Sequence, residues 1–285
     1  MAYIKQNFVK GQALQAAMLN HMEQGIADLS DAFENNKPAL KVIYIGNSYS
    51  QNATEYIYNV LTNLGYSDFK VGVAYIGGCN LETHLSNLKT NSANYDYQIC
   101  VANGRSSQGK KSLYDILTSE KWGYVILQQQ SSKTDDATTY DDVYEILNYC
   151  KKYCPKASFG WHMTWENKGA IYADIASTVK STILKNAFFD FIIPTGTAIQ
   201  NASTSYMTHA TIWETDEVHL ATAHPFGKMV ATLATVKGLL REDVDINKVS
   251  YKNTLTDEEF AIAKESVANM YQKPFECTQS SYITK

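Results

Sequence analysis

Short apolar runs alternate with longer amphipathic segments from Leu40 onward, and this alternation restricts the possible folds more than any other feature of the chain. The runs predict strands at residues 40–46, 69–75, 97–102, 123–128, 157–162 and 190–194. The amphipathic segments predict helices at 51–64, 81–90, 111–120, 138–153, 169–187 and 221–241. A capping box at 256–259 predicts a final helix near 257–271. Strands that are apolar on both faces are typical of parallel sheets covered by helices. The pattern therefore predicts a three-layer α/β/α protein with a central parallel sheet.

The first 38 residues differ from the rest of the chain. Apolar residues follow one another there at spacings of 3, 4, 3 and 4, at Leu19, Met22, Ile26, Leu29 and Phe33. This is the a/d seam of a short coiled coil, and a polar linker ending in a proline follows it. The sequence thus predicts an N-terminal helical adaptor at 1–38 and a larger domain at 39–285. A lone helix of this length is marginal in water, so we expect it either to dock on its own domain or to self-associate.

Composition narrows the classes of partner. The net charge is −4, which argues against nucleic acid, because phosphate binding needs clustered lysine and arginine. The N-terminus has no apolar signal region, and no run is long enough to span a bilayer. We therefore expect synthesis in the cytoplasm and no membrane partner. The five cysteines match neither a disulfide framework nor a zinc site, so we expect free thiols, no metal and no cofactor.

Two short motifs carry the chemistry. Gly46-Asn47-Ser48 follows the first predicted strand, and Asp216 stands three residues before His219. Each motif alone is weak evidence, since Gly-Asn-Ser is also a common start of a helix. Together they supply a hydroxyl nucleophile, a histidine base and a carboxylate that can orient the base. In an α/β sheet such groups meet outside the C-terminal ends of the strands. The motifs predict a serine hydrolase with Ser48, His219 and Asp216 as catalytic residues.

From about residue 40 to 242 the chain resembles the SGNH (GDSL-like) hydrolases, which have a flavodoxin-like α/β/α fold and need no cofactor. Their first block, a strand followed by Gly-Asp-Ser, is similar to Gly46-Asn47-Ser48, with Asn47 in place of the usual aspartate. The resemblance implies that Ser48 is the nucleophile and that its backbone N–H helps to form the oxyanion hole. The fifth block of the family, Asp-x-x-His, matches Asp216 and His219.

The same resemblance suggests the other oxyanion donors. Gly78, with Gly77 as the alternative, matches the glycine of the second block. The third block, Gly-x-Asn-Asp, is replaced here by three consecutive glutamines after an apolar strand. Aligning the strand ends matches Gln130 to the asparagine, whereas sialate-esterase-like relatives suggest Gln128. A glutamine amide donates the same kind of hydrogen bond as asparagine, so both stay open.

A loop rich in aromatic residues is the candidate specificity wall. Trp161, His162 and Trp165 end a predicted strand at the same edge of the sheet, and aromatic faces pack well against sugars. With Asn47 they form our expected substrate-binding set. The expected reaction is hydrolysis of small acyl esters, O-acetyl above all, on carbohydrate. A glycan-binding tail or adhesion protein on an inactive hydrolase scaffold is the alternative, and a lysophospholipase or thioesterase is a third hypothesis.

The N-terminal segment carries a second resemblance. Residues 7–26 are similar to the N-terminal adaptor of phage tail and baseplate proteins, with the order F-x-x-G-x-x-L and, further on, M-E-x-G-I. This resemblance implies a virion or phage-derived tail component that forms a homo-oligomer, a trimer in many such proteins, through its N-terminal helix. The expected partner of the larger domain is a glycan or small-molecule ester.

Overall fold

The computed structural model describes residues 19–26, 37–167 and 171–284 of the 285-residue chain. Residues 19–26 form a helix, α1, which falls within the predicted apolar seam. Leu19, Met22 and Ile26 expose 46%, 37% and 65% of their surface there. Leu29, Phe33 and most of the proposed adaptor lie outside the described residues. The separate N-terminal domain and its self-association therefore stay predictions.

Seven strands of the described chain form one sheet in the order β4-β3-β2-β1-β5-β6-β7. The strands are β1 Leu40–Gly46, β2 Phe69–Tyr75, β3 Tyr95–Val101, β4 Gly104–Lys111, β5 Tyr124–Leu127, β6 Ser158–His162 and β7 Phe191–Ile193. Five of them, β2-β1-β5-β6-β7, are parallel neighbours. Counted along the chain, this is the order 2-1-3-4-5 of flavodoxin-like folds.

Helices cover both faces of this sheet, which confirms the α/β/α prediction. They are α2 Ser48–Ala53, α3 Ile57–Asn63, α4 Leu81–Thr90, α5 Leu113–Thr118, α6 Val143–Tyr153, α7 Tyr172–Val179, α8 Thr195–Ala202, α9 His209–Ile212, α10 Phe226–Leu240 and α11 Asp257–Gln272. The first strand shows how the layers are separated. Its residues alternate between a core shared with α10 and α11 and a second core shared with α4 and α6. Both faces of β1 are therefore buried, as its unbroken apolar run predicted.

The edge of the sheet differs from the prediction. Strand β3 is antiparallel to β2, and the unpredicted strand β4 is antiparallel to β3. The sequence of β4, GRSSQGKK, has no buried residue and so lacks the apolar pattern by which strands are recognised. Its Arg105 instead bonds Glu55 at 2.8 Å and the carbonyl of Gln51, which ties this edge to the end of α2.

The start of the first helical layer also differs. A single helix was predicted at 51–64, but α2 begins at Ser48 and a turn separates it from α3. The hydroxyl of Thr54 donates to the carbonyl of Ser50 at 2.7 Å, a local bond that competes with regular helix. Strand β1 lies between β2 and β5, where the strand order reverses, and α2 starts at its end. Ligands of open α/β sheets bind at this switch point, so the fold places Ser48 where a site is expected.

Candidate active site

Ser48 is the first residue of α2 and follows the turn at the end of β1. The side chain of Asn47 caps this helix by accepting the N–H of Tyr49 at 3.0 Å. The turn has no room for a side chain at Gly46. A Cβ atom there would lie 2.4 Å from Ser50 Oγ and 2.8 Å from the Gln128 amide carbon. The glycine therefore allows the close packing that fixes the position of Ser48.

His219 and Asp216 lie beside Ser48. The Nε2 atom of His219 is 2.8 Å from Ser48 Oγ, and its Nδ1 atom is 2.5 Å from Asp216 Oδ2. A proton on Nδ1 is held by the carboxylate, which leaves the Nε2 lone pair directed at the serine hydroxyl. The side chains of His219 and Asp216 are 39% and 48% exposed, so a substrate can reach them from solvent. The arrangement can activate a serine hydroxyl for attack on a carbonyl.

Asp216 is held ionised. Desolvation raises the pKa of its carboxyl, but hydrogen bonds from the His219 backbone N–H, the His219 ring and the Val218 N–H outweigh this and lower the pKa to about 2. Both backbone bonds, at 2.9 Å, reach Oδ1 and leave Oδ2 to the histidine ring. The carboxylate therefore orients the ring and carries a negative charge at neutral pH.

The loop of residues 213–220 presents this acid and base. Trp213 and Leu220 form an isolated antiparallel bridge, and the N–H of Glu214 donates to the carbonyl of His219 at 2.8 Å. Glu217 adopts a left-handed conformation with φ of 56°, which closes the tight turn between the two functional residues. Sequence reasoning missed Asn52, whose side chain accepts the N–H of Leu220 at 2.9 Å. Its position one helical turn after Ser48 was the available signal.

The proposed second block lies against the Gly46-Asn47-Ser48 turn. The N–H of Ile76 donates to the carbonyl of Gly46 at 3.1 Å, and the Asn47 amide donates to the carbonyl of Cys79 at 3.0 Å. Gly78 has a φ of +61°, the left-handed region that favours glycine. A Cβ at Gly77 would lie 3.2 Å from the Tyr75 hydroxyl. The turn that carries both candidate glycines is thus fixed to Asn47.

The three glutamines after β5 have different environments. Gln128 is buried, donates to Asn47 Oδ1 at 2.7 Å and accepts from Ser50 Oγ at 2.6 Å. Gln129 is also buried, and it accepts the N–H of Leu81 and donates to the carbonyl of Thr139. Gln130 is half-buried and bonds the side chains of two neighbouring serines. The side chain of Gln128 is therefore hydrogen-bonded to the turn that carries Ser48.

The aromatic loop does not form the expected wall. Trp161, His162 and Trp165 are each at most 1% exposed, and Asn47 is equally inside the protein at 2%. Trp161 and His162 end β6, and Trp165 follows it. Strand β6 lies between β5 and β7, and helices cover both faces of the sheet, so these side chains pack in the interior. His162 Nδ1 lies 3.2 Å from Gln128 Oε1. Trp165 donates its indole N–H to the carbonyl of Val218 at 3.0 Å. These side chains therefore contact residues of the site from inside the protein and do not line a surface that a substrate can reach.

A surface cavity of about 630 Å³ lies next to this site, between α4 and the segment 129–142. Its lining combines polar and apolar surface, and its polar and charged residues include Asn80, Glu82, Lys89, Gln129, Lys133, Thr139 and Asp141. Asn80 and Gln129 connect it to the site, because each directly follows a residue that contacts Asn47. The cavity thus lies beside the second and third blocks and does not contain Ser48 or His219.

Within the described ranges, no three histidine, cysteine or acidic side chains gather in a way that would hold a metal ion. All five cysteines belong to those ranges and are unbridged. None of the described helices is both long and apolar enough to span a membrane.

Comparison with known proteins places the chain in a family. A family described as "Domain of unknown function (DUF4886)" matches residues 41–270. The crystal structure of a DUF4886 family protein from Bacteroides uniformis superposes with a TM-score of 0.79 at 25% sequence identity. The match covers 87% of this chain and the whole of that one. No curated protein sequence matches the chain.

Two further structures are more distant. One is TesA, with a TM-score of 0.47 and 12% identity over 72% of this chain and 99% of its own. The other is a family 3 carbohydrate esterase from Clostridium thermocellum, with a TM-score of 0.45 and 13% identity over 71% of this chain and 96% of its own. Similarity at this level carries no argument about activity.

Proposed function

We propose that this chain, which belongs to the DUF4886 family, is a serine ester hydrolase that acts through an acyl-enzyme intermediate. One observation carries the proposal: Ser48 Oγ, the His219 ring and the Asp216 carboxylate form a continuous hydrogen-bonded series with distances of 2.8 and 2.5 Å. The order of donors in this series suits proton transfer from a serine to a histidine. We assign Ser48 as nucleophile, His219 as general base and acid, and Asp216 as the carboxylate that orients the base.

The mechanism follows from these positions. His219 Nε2 takes the proton of Ser48 as Oγ bonds to the ester carbonyl carbon, which gives a tetrahedral oxyanion. Collapse of this intermediate breaks the bond to the alcohol oxygen, and His219 returns its proton to that oxygen. A water molecule then loses a proton to His219 and attacks the acyl carbon. Collapse of this second intermediate breaks the bond to Ser48 Oγ, which takes the proton back from His219 as the acid leaves. Asp216 keeps Nδ1 protonated throughout and stabilises the imidazolium.

Backbone amides are our candidates for stabilising the oxyanion. The N–H groups of Ser48, at the start of α2, and of Gly78, in the adjoining turn, are the assigned donors, with Gly77 as the alternative to Gly78. The Asn47 side chain fixes the distance between the two segments, because it caps α2 and bonds the carbonyl of Cys79. Gln130, whose amide donates to the Ser131 hydroxyl, is an alternative third donor that stands outside our assigned set of backbone N–H groups. Gln128 suits a positioning role better, since its amide already donates to Asn47.

The substrate class that we propose is a small acyl ester, O-acetyl above all, on carbohydrate. Two features support it. The side chains of His219 and Asp216 are partly exposed, so the alcohol part of a bulky polymer fits in front of them. The residues that line the adjoining cavity offer hydrogen-bond donors and acceptors beside apolar surface, which suits a sugar with both hydroxyl groups and C–H faces. Acetate release from acetylated xylan, measured beside the Ser48→Ala variant, tests this class, and equal release from both proteins would contradict it.

The test of the reaction itself uses p-nitrophenyl acetate. We expect hydrolysis by the wild type and a loss of about 10³-fold or more in kcat in Ser48→Ala and in His219→Ala. Both variants remove functional atoms at the surface, so circular dichroism should show an unchanged fold. Activity in either variant close to that of the wild type would contradict the assignment.

The alternative function is a glycan-binding protein that keeps the fold without turnover. It is favoured by the environment of Gln128, which is only 2% exposed and has one of its two amide hydrogens bonded to Asn47, so this side chain is a poor candidate for an oxyanion donor. Binding of acetylated xylan without hydrolysis of any p-nitrophenyl ester would support this alternative. Rapid turnover that depends on Ser48 would exclude it.

A further inference from the structure

The backbone on each side of His219 is held from outside its own loop. On one side, the N–H of Leu220 donates to the Asn52 side-chain oxygen at 2.9 Å. On the other, the carbonyl of Val218 accepts the indole N–H of Trp165 at 3.0 Å. The general base thus stands between two hydrogen bonds made by buried side chains, since Asn52 is 9% exposed and Trp165 is fully buried.

Both of these side chains are connected to the helix of the nucleophile. Asn52 lies on α2 one turn after Ser48. Trp165 lies on the segment after β6, and its ring packs edge-on against Tyr49 with 4.4 Å between ring centroids. Tyr49 is the residue next to Ser48 and is itself buried. The two bonds therefore connect the loop of the base to the same short helix that begins with the nucleophile.

The hydrogen bonds within residues 213–220 do not connect this loop to α2. The bridge between Trp213 and Leu220 and the bond from Glu214 N–H to the His219 carbonyl set the shape of the loop. Asp216 fixes the rotation of the His219 ring within that shape. None of these contacts sets the distance from the loop to Ser48. That distance depends on contacts between the loop and the rest of the protein, among which the bonds of Asn52 and Trp165 directly flank His219.

We infer that Asn52 and Trp165 are positioning residues that set His219 Nε2 against Ser48 Oγ, an inference that rests on the proposed function. A displacement of about 1 Å between reacting groups can cost about 10²-fold in rate. Removing either hydrogen bond lets the His219 backbone move relative to α2, so the main effect falls on kcat. KM for a small ester stays the same, because neither side chain is placed to touch the substrate.

Two substitutions at Asn52 separate positioning from packing. Asn52→Leu keeps the size of the side chain and removes the acceptor, and we expect kcat for p-nitrophenyl acetate to fall about 10- to 100-fold. Asn52→Asp keeps the acceptor oxygen for Leu220 N–H, and we expect it to retain most of the wild-type kcat. A purely structural role would instead lower the melting temperature and leave kcat per titrated active site unchanged in both variants.

Trp165 has a matched control in the same chain. Trp165→Phe keeps a ring against Tyr49 but removes the N–H donor, and we expect kcat to fall about 10-fold at unchanged KM. Trp122 is also buried and donates its indole N–H to a backbone carbonyl, that of Ile116, at 2.9 Å. Trp122→Phe therefore loses the same kind of bond away from the site, and we expect wild-type kcat. Equal kcat in Trp165→Phe and Trp122→Phe would overturn the inference for Trp165.

A measurement without turnover keeps the inference separate from the proposed function. Nitrogen-15 NMR of the His219 ring reports the hydrogen bond of Nε2 in the wild type and in Asn52→Leu. Loss of that bond in the variant supports positioning even in a protein that hydrolyses no ester. An unchanged ring signal in Asn52→Leu overturns it, whatever the activity of the wild type. Absence of Ser48-dependent activity in the wild type would count against the proposed function alone.

Discussion

His219 Nε2 lies 2.8 Å from Ser48 Oγ, although 171 residues separate the two along the chain. Ser48 follows the end of β1 at one edge of the sheet. The loop after α9 returns to the same edge before α10 begins, which brings the two residues together. The polar groups that support this contact, including Asn47, Asn52 and Gln128, are all buried. Burial of a polar group costs free energy unless the group is hydrogen-bonded. These side chains are hydrogen-bonded to one another or to the backbone around Ser48 and His219, and such a network holds the geometry of the site.

The first prediction concerns Asp216. Asp216→Asn can keep Oδ1 on the two backbone N–H groups, but it then places an NH₂ group against Nδ1 of His219. The ring is expected to change tautomer and lose the free lone pair at Nε2. We expect kcat for p-nitrophenyl acetate to fall about 10²- to 10⁴-fold with little change in melting temperature. A variant within a few-fold of the wild type would show that the carboxylate does not orient the base.

The second prediction distinguishes the two candidate glutamines. Gln128→Met removes the partner of Asn47, Ser50 and His162, and each orphaned buried group costs about 1–3 kcal/mol. Because Asn47 Oδ1 keeps the N–H of Tyr49, two groups are orphaned, and we expect a loss of about 2–6 kcal/mol in the free energy of unfolding together with a fall in kcat. Gln130→Ala loses only bonds to two serine side chains, and we expect it to behave like the wild type.

Urea unfolding and p-nitrophenyl acetate kinetics of both glutamine variants give the answer. An oxyanion donor is worth about 10²–10³ in kcat. A loss of that size in Gln130→Ala at unchanged stability would assign the third oxyanion donor to Gln130 and contradict this prediction.

The third prediction concerns the turn before the nucleophile. In Gly46→Ala the new methyl group meets Ser50 and Gln128 at distances under 3 Å, and overpacking of this kind costs about 1–3 kcal/mol. We expect lower stability and, because Ser48 is displaced, lower kcat. Gly123→Ala is the control, since its nearest neighbouring atom, the Lys41 carbonyl oxygen, lies 3.5 Å away. Equal melting temperatures and kcat values in the two variants would contradict the prediction.

The fourth prediction is a loss of stability in mild acid. Burial lowers the pKa of His84 to about 4 and that of His162 to about 3. In the unfolded chain both rings have a pKa of about 6.5. Between these values the unfolded state binds protons that the folded state does not, so stability falls as the pH falls below about 6.5. Each ring lowers the free energy of unfolding by at most about 1.4 kcal/mol for each pH unit of acidification.

Urea unfolding between pH 7.5 and pH 5 measures this slope. Asp216 does not interfere in this range, because its pKa of about 2 in the folded state moves its contribution below pH 4. His84→Gln should flatten the slope by about one ring's share. An unchanged slope in His84→Gln would show that this ring is not kept neutral by burial.

The sequence predicted the parts of this protein that follow from apolar pattern. Strands β1 and β2 and helix α4 begin and end at the predicted residues, because full burial or a clear amphipathic face determines them. Strand β4 was missed, since its residues are held by backbone pairing to β3 and by Arg105 rather than by burial. The order 2-1-3-4-5 of the parallel strands agrees with the predicted flavodoxin-like fold.

Side-chain roles were harder to predict than elements. The spacing of Asp216 and His219 correctly indicated that they would meet, because three residues in a tight turn bring the two side chains together. The aromatic loop was misjudged, since sequence cannot show whether a tryptophan at a strand end points outward or into the core. The Trp165 side chain points into the core, where its indole N–H donates a hydrogen bond to the loop that carries His219. Asn52 was missed because its partner Leu220 lies 168 residues away, and no local pattern relates the two segments.

The most direct test of the central claim is covalent labelling with a fluorophosphonate probe. We expect one equivalent of label per chain, located by peptide mapping on Ser48, because His219 makes that hydroxyl nucleophilic. In His219→Ala we expect labelling to be at least about 100-fold slower. No labelling of the wild type, labelling at another residue, or an unchanged rate in His219→Ala would contradict the claim that Ser48 and His219 form a catalytic pair.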